Sequence, residues 1–366
     1  MQTVGHQKQL KFLRGFLPTG NGSARSGKNN LFFSSYLFWG PEKTGKKQIA
    51  FEFVKSLLCQ KNTWGGCFTN PKLYAKDGPL SYKATEGRAS QCPACADLRY
   101  AEGSGKANIS QRDFLLIDKN FLPSLIIKSE DEKPYGIDTS RAIIKFLATS
   151  PSVAQRKVVL IDDAHLLTQE AQNSLLKIIE EPPSNAVIIL VSHKPSFLYD
   201  TILSRVLQIY FSLVNEEELS SWIKNFSSVS AKEAEEIVKF SLGRPGRAWE
   251  FANDKNLLSE FKKNVLKLLS FEGKNPGQKL ILLKNFFGSG SDLSDNFSLW
   301  QGVLRDELLF SCGFEDMAEI LSQKRRVGMA GIIASLKKLL ILSDISDNFP
   351  ATTEAVFKQM VLSKNL

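Results

Sequence analysis

The pattern of apolar and polar positions predicts a parallel sheet in the first half of the chain. Four apolar residues begin at Val158, and a second apolar run covers 186–191. Runs rich in Val and Ile and bounded by polar turns are typical of strands buried on both faces. Similar runs predict further strands at 36–39, 112–118 and 207–210. Helical segments separate most of these strands, and that alternation predicts an α/β fold.

Between the strands, apolar residues recur at helical spacing. Thr168 is a predicted N-cap, and Pro182 with the proline after it ends the helix that follows. A second helix is predicted over 137–147, with Asp138 as a candidate N-cap and Arg141 on its exposed side. The apolar stripe of the first helix consists of Ala171, Leu175, Ile178 and Ile179.

Beyond residue 212 the pattern becomes helical throughout. The first helices are predicted at 216–226, 231–242 and 245–257. We therefore predict three domains: an α/β domain over 1–212, a small helical domain over 213–258 and an all-α domain over 259–366.

Composition narrows the class of protein. The chain has 366 residues, of which 43% are hydrophobic, which suffices for two or three packed cores. Its formal charge of +9 is compatible with a nucleic-acid neighbour without requiring one. No apolar run has the length of a membrane span, and the N-terminus has no secretory segment, so a cytoplasmic protein without membrane contact is expected.

A phosphate-binding loop is predicted after the first strand. The segment from Gly40 to Lys46 has the spacing G-x-x-x-x-G-K, with its second glycine at Gly45, between a predicted strand and a predicted helix. The next position normally carries a Ser or Thr hydroxyl that binds magnesium, and here it is Lys47. Lys46 and the helix N-terminus could still hold a phosphate. The alternative is an inert glycine turn.

Two carboxylates, Asp162 and Asp163, follow the strand that begins at Val158. Open α/β sheets place their ligands at the carboxyl ends of the strands, so these residues are candidate metal or nucleotide ligands. A solvated acidic turn without a ligand is the alternative interpretation.

These motifs, together with the segments IDDAHLLTQEAQNSLLKIIEEPP and TILSRVLQIYF, resemble the AAA+ clamp-loader subunits of bacterial DNA polymerase III. The resemblance extends from Val4 to about Phe357. It implies a P-loop AAA+ domain, a helical lid and an α-helical collar that joins subunits. It places Asp162 at the magnesium-binding aspartate and Asp163 where a glutamate would polarise the attacking water. Asp is shorter than Glu by one methylene, about 1.5 Å, which weakens its reach as a base.

The resemblance also assigns an arginine finger. Ser204, Arg205 and Val206 stand at the family's SRC motif. The match implies that Arg205, preceded by Ser204, reaches the ATP of a neighbouring subunit, because such fingers act in trans on the γ-phosphate. An ordinary surface ion pair is the alternative.

A zinc module is predicted at about 59–95. The resemblance implies a structural Zn²⁺ held by four cysteines: Cys59, Cys67, Cys92 and Cys95. The spacing departs from the compact family pattern, because 24 residues separate the second cysteine from the third. Scattered reduced thiols are the alternative.

Three positions with ATPase roles are altered together. Lys47 and Asp163 are two of them, and in the segment that resembles sensor 2 the expected arginine position is Gly246, with Arg247 one residue late. The pattern favours a stator subunit that is not catalytic alone, and it leaves ATP or ADP binding open. The resemblance implies gamma/tau and delta subunits as partners in a hetero-pentamer, with the sliding clamp and primer-template DNA. An active gamma/tau-type or other AAA+ DNA-processing ATPase is the main alternative, and a stand-alone DNA-binding module is the third.

Overall fold

A computed structural model describes residues 4–17, 33–60, 92, 112–119, 135–225, 229–269, 277–278, 293–312, 333 and 335–337. The chain divides into two compact units, Met1–Val214 and Asn215–Leu366. Cys67, Cys95 and much of the predicted all-α domain lie outside the described residues.

The first unit is built on a parallel five-stranded sheet, whose strands lie in the spatial order β2 (Phe114–Ile117), β3 (Lys157–Ile161), β4 (Ala186–Ser192), β1 (Ser35–Trp39) and β5 (Leu207–Tyr210). This confirms the predicted α/β fold, and every predicted strand is present to within two residues at each end. The elements are helix α1 (Gln7–Arg14), strand β1 (Ser35–Trp39), helix α2 (Lys46–Leu58), strand β2 (Phe114–Ile117), helix α3 (Ile137–Leu147), strand β3 (Lys157–Ile161), helix α4 (Gln169–Glu180), strand β4 (Ala186–Ser192), the short helix α5 (Asp200–Leu203) and strand β5 (Leu207–Tyr210).

The sheet separates two apolar cores, because successive side chains of a strand point to opposite faces. Val159 and Ile161 of β3 pack in one core with residues of α3 and α4. Val158 and Leu160 pack in the other core with residues of α1 and α2. Burial on both faces explains why β3 and β4 are unbroken apolar runs in the sequence.

Of the two predicted helix N-caps, one is confirmed and the other is wrong. The Thr168 hydroxyl accepts a hydrogen bond from the backbone N–H of Ala171 at 3.2 Å, as predicted for α4. Helix α3 instead starts after Gly136, whose backbone is extended, so Asp138 is not its N-cap. Asp138 lies in the first turn and accepts a hydrogen bond from Arg141 at 2.9 Å. A carboxylate there still interacts favourably with the helix dipole.

The second unit is helical where it is described. The helix predicted over 245–257 ends at Asn253, because extended backbone at Asp254 separates it from the next helix. Arg247 is buried in this unit, with its guanidinium carbon 5.3 Å from the centre of the Phe261 ring. The helices are α6 (Glu216–Ile223), α7 (Ala231–Ser241), α8 (Pro245–Asn253), α9 (Lys255–Leu269) and α10 (Leu293–Ser311). Across the described parts of both units, none of the helices is long and apolar enough to cross a membrane.

Gly40 should tolerate no side chain. Its φ is 144°, and a Cβ there would lie 2.1 Å from the carbonyl oxygen of Phe211. We expect Gly40→Ala to lower the free energy of unfolding by about 3 kcal/mol, because it combines backbone strain with overpacking. Gly45→Ala is the matched control: its φ is 92°, but no atom lies within 4 Å of the added Cβ. We expect this control to lose about 1 kcal/mol.

Urea unfolding of the two variants measures the difference. Equal losses for Gly40→Ala and Gly45→Ala would contradict the close backbone approach at Gly40.

Candidate functional site

The candidate site lies at the carboxyl ends of three neighbouring strands. β4 pairs with β1 on one side and with β3 on the other. The segment Gly40–Lys46 follows β1, the pair Asp162 and Asp163 follows β3, and His193 follows β4. The sheet therefore brings together the phosphate-loop motif and the acidic turn, as the sequence predicts.

Lys46 is held by the loop that precedes it. Its side chain is buried, and Nζ donates hydrogen bonds to the carbonyl oxygens of Gly40, at 2.9 Å, and Pro41. Nζ also lies 3.5 Å from Oγ1 of Thr44. Carbonyl oxygens of its own loop thus receive the hydrogen bonds that a lysine in this motif would give to a bound phosphate.

Lys47 contacts the carboxylate that the sequence predicts to bind magnesium. Its Nζ lies 2.7 Å from Oδ2 of Asp162. Burial raises the pKa of Asp162 above its ordinary value, although the charge of Lys47 acts in the opposite direction. A carboxylate that binds Mg²⁺ directly has the ion about 2.0–2.1 Å from its oxygen. In this chain the cation next to Oδ2 of Asp162 is the ammonium group of Lys47.

Asp163 faces a different set of groups. Its backbone is left-handed, with φ of 47°, and its carboxylate oxygens lie 3.5 Å from Nζ of Lys119 and 3.7 Å from Nδ1 of His193. Burial acts to raise the pKa of Asp163, but the nearby side chains of His193, His165 and Lys119 hold it well below its usual range. An aspartate held ionised in this way is a poor proton acceptor.

Sequence reasoning missed the two histidines of this site. The rings of His165 and His193 are 4.2 Å apart between centroids and nearly perpendicular. His165 stands two residues after Asp163, and His193 directly follows the last residue of β4. Both histidines lie shortly after predicted buried strands. Open α/β sheets place their ligands there, so this position was the sequence signal that could have identified them.

Arg205 lies elsewhere on the sheet. It precedes β5, so it is near the amino ends of the strands, whereas the phosphate-loop motif follows β1. Its Nε lies 2.7 Å from Oε1 of Glu180, and Nη1 donates to the carbonyl oxygen of Thr201 at 2.9 Å and to Oγ of Ser204 at 3.1 Å. The structure therefore does not bring Arg205 or Ser204 together with the phosphate loop of the same chain.

Two of the four predicted zinc ligands are described. Cys59 and Cys92 are buried, and their sulfur atoms are 4.0 Å apart. Two thiolates on one tetrahedral Zn²⁺ at 2.3 Å each would be about 3.8 Å apart. The two cysteines therefore fit a shared metal and are too far apart for a disulfide, whose S–S bond is about 2.05 Å.

The ion pair of Lys47 and Asp162 should stabilise the first unit. Lys47→Met removes the cation and leaves a largely buried carboxylate, so we expect a loss of about 2 kcal/mol in the free energy of unfolding. Asp162→Asn in the same chain should recover most of that loss, because it removes the stranded charge. Urea unfolding of the two single variants and the double variant gives the coupling energy, and additive effects would contradict a direct interaction.

Comparison with known proteins shows similarity to subunits of DNA polymerase III. A family profile described as "DNA polymerase III, delta subunit" matches residues 84–215. The delta' subunit of DNA polymerase III from Pseudomonas aeruginosa is 29% identical over 212 residues, which are 58% of this chain and 53% of that protein. The delta' subunit from Haemophilus influenzae is 34% identical over 135 residues, 35% of this chain and 41% of that protein.

The tau subunit of DNA polymerase III from Bacillus subtilis is 26% identical over 356 residues, which are 91% of this chain and 53% of that protein. The chain spans about half the length, or less, of these curated relatives. The profile and two of the three relatives carry the delta or delta' name. The chain is therefore similar to DNA polymerase III subunits named delta' or tau, and the matching profile carries the delta name.

Proposed function

We propose that the chain is a delta-prime-type stator subunit of a DNA polymerase III clamp loader, without an active ATP site of its own. The observation that carries the proposal is the ion pair of Lys47 with Asp162, 2.7 Å between Nζ and Oδ2. The homologous delta' subunits give the biological setting.

The contacts at the phosphate loop disfavour ATP hydrolysis by this chain. Enzymes that transfer phosphoryl groups rely on Mg²⁺ and on a group that positions the nucleophile. The Lys47 ammonium contacts the metal-binding carboxylate, and Asp163 is paired with His193 and Lys119. The main alternative is an active gamma/tau-type ATPase. Such an enzyme would need Asp162 to bind Mg²⁺ and Asp163 to act on the attacking water.

Arg205 is suited to act on a neighbouring subunit. In its ion pair with Glu180, the side chain of Arg205 is 40% exposed and that of Glu180 is 44% exposed. A surface pair of this kind contributes about 0–1 kcal/mol, so a phosphate can displace the carboxylate at little cost. The contacts of Nη1 with Thr201 and Ser204 keep the side chain near the start of β5. The guanidinium then offers planar donors to the γ-phosphate of the neighbour's ATP.

In this proposal the other subunits supply the ATP chemistry. The chain assembles with gamma/tau and delta subunits in a cytoplasmic hetero-pentamer, and the complex loads the sliding clamp on primer-template DNA. The helices over 213–258 would form the lid, and the residues from 259 to 366 would form the collar that joins the subunits.

A structural Zn²⁺ belongs to the same proposal. Cys59 and Cys92 would provide two thiolates, and Cys67 and Cys95 would complete a tetrahedral set. The support is the 4.0 Å separation of the two described sulfur atoms next to Val153 and Ala154. Such a site would tie Cys59, at the end of α2, to Cys92.

Arg205 gives the main test. In a complex reconstituted with gamma/tau and delta, we expect Arg205→Ala to reduce ATP hydrolysis stimulated by clamp and primed DNA. One ATP site of the complex would lose a group that is worth about a thousandfold or more in rate. Arg205→Lys should fail as well, because lysine lacks the planar fork of donors.

Arg141→Ala is the matched control. Arg141 is also exposed and paired with a carboxylate of the first unit, that of Asp138 at 2.9 Å. If the Arg205→Ala complex hydrolysed ATP as fast as the unchanged complex, Arg205 would not be an arginine finger. ATP turnover by the isolated chain would contradict the stator function.

Zinc binding can be tested with single cysteine variants. We expect Cys92→Ser to lower the zinc content of the purified chain and its melting temperature, because three ligands remain for a closed four-ligand site. Cys312→Ser is the control, since Cys312 is exposed and lies in the second unit. Metal analysis and thermal melts measure both effects. Equal zinc content in the two variants would argue against the cysteine site.

A further inference from the structure

The carboxyl ends of β3 and β4 bring together two of the chain's three histidines. We infer that Asp163, His165 and His193 form a binding site for a first-row divalent transition metal of the Zn²⁺ class. One ligand atom from each of the three residues lies within 4.8 Å of the other two. The site shares Asp163 and His193 with the acidic turn described above, but the inference does not rest on the proposed clamp-loader function or on the cysteines.

The distances are close to those of a metal centre. Zinc ligands about 2.0–2.1 Å from a tetrahedral ion lie about 3.4 Å from one another. Nδ1 of His193 is 3.7 Å from Oδ1 of Asp163, which is close to that separation. Side-chain rotations that shorten the widest separation by about 1.4 Å would suffice to complete the site.

The backbone places all three ligands on ordered elements. Asp163 adopts a left-handed backbone that starts the short 3₁₀ turn Ala164–Leu166, and this turn carries His165. His193 follows β4, which is hydrogen-bonded to β3. This backbone conformation is uncommon for residues other than glycine, although aspartate and asparagine adopt it more readily than most.

Two of the ligands have polar partners in an outer shell. Metal-binding histidines usually donate their second ring nitrogen to an oxygen, and metal-binding carboxylates are themselves hydrogen-bonded. Oγ of Ser192 lies 3.4 Å from Nδ1 of His165, so Nε2 would be the ring nitrogen that binds the metal. Nζ of Lys119 lies 3.5 Å from Oδ2 of Asp163, which leaves Oδ1 on the side of His193.

The ligand set determines the class of metal. Two imidazoles and one carboxylate suit Zn²⁺, Co²⁺, Ni²⁺ or Fe²⁺, whereas Mg²⁺ and Ca²⁺ prefer oxygen ligands. Three protein ligands leave a further coordination position for water. The bound metal would connect the ends of β3 and β4.

Cobalt titration of the full chain tests the site, because the spectrum of Co²⁺ separates the two ligand classes. Thiolate ligands give charge-transfer absorption in the near ultraviolet, and imidazole and carboxylate ligands do not. In the Cys92→Ser chain we expect one equivalent of Co²⁺ to bind with visible absorption alone, and Zn²⁺ to displace it. Adding His193→Gln should weaken Co²⁺ binding by at least about tenfold.

His6→Gln is the matched control, since His6 is the remaining histidine and contacts Thr44 in the phosphate loop. We expect its affinity for Co²⁺ to equal that of the parent Cys92→Ser chain. His193 is only partly buried, so its variant should fold, and circular dichroism checks this. If it does not fold, Asp163→Asn decides, because Asn also tolerates the left-handed backbone. The proposal would be overturned if no Co²⁺ bound without thiolate absorption. It would also be overturned if the affinity for Co²⁺ stayed the same after His193→Gln or Asp163→Asn.

Discussion

The ion pair between Lys47 and Asp162 determines what the carboxyl edge of this sheet can do. A largely buried carboxylate needs a cation next to it. In a P-loop enzyme Mg²⁺ supplies that cation, whereas here Lys47 of α2 supplies an ammonium group. Because the cation is part of the chain, a free metal ion must displace it to bind. In our proposal this pair keeps Mg²⁺ from Asp162 and so prevents ATP hydrolysis at this loop.

The fold itself does not depend on that chemistry. Its stability rests on two apolar cores, one on each face of the sheet. The close approach of Gly40 to Phe211 fixes the phosphate loop at the end of β1 whether or not a phosphate is bound. A homologous chain can thus keep the shape of an ATPase domain while its site residues change, since function resides in sites that the fold carries.

The same sheet separates two roles in space. The phosphate loop and the acidic turn follow β1 and β3, and Arg205 precedes β5. Within one chain these groups lie toward opposite ends of the strands, so the arginine cannot complement its own loop. We propose that Arg205 acts on a neighbouring subunit instead, and its ion pair with Glu180 is exposed.

Much of the fold could be predicted from the sequence because burial on both faces leaves unbroken apolar runs such as those of β3 and β4. The phosphate loop and the acidic turn could be located for a related reason, since both follow such strands. The partner of Lys47 and the pairing of His165 with His193 could not be predicted. These contacts depend on the strand order, and periodicity along the chain does not contain that order. Asp138 failed as a cap because Gly136 adopts the extended backbone before α3.

The most direct test of the blocked site is Mg²⁺-dependent ATP binding by the full chain and by its Lys47→Thr variant. Threonine removes the ammonium from Asp162 and restores the hydroxyl of the phosphate-loop motif. Lys47→Met, which removes the ammonium without supplying a hydroxyl, is the control. Our account predicts no measurable Mg²⁺-ATP binding by the wild-type chain or by Lys47→Met, and binding by Lys47→Thr. Wild-type binding as tight as that of Lys47→Thr would contradict it.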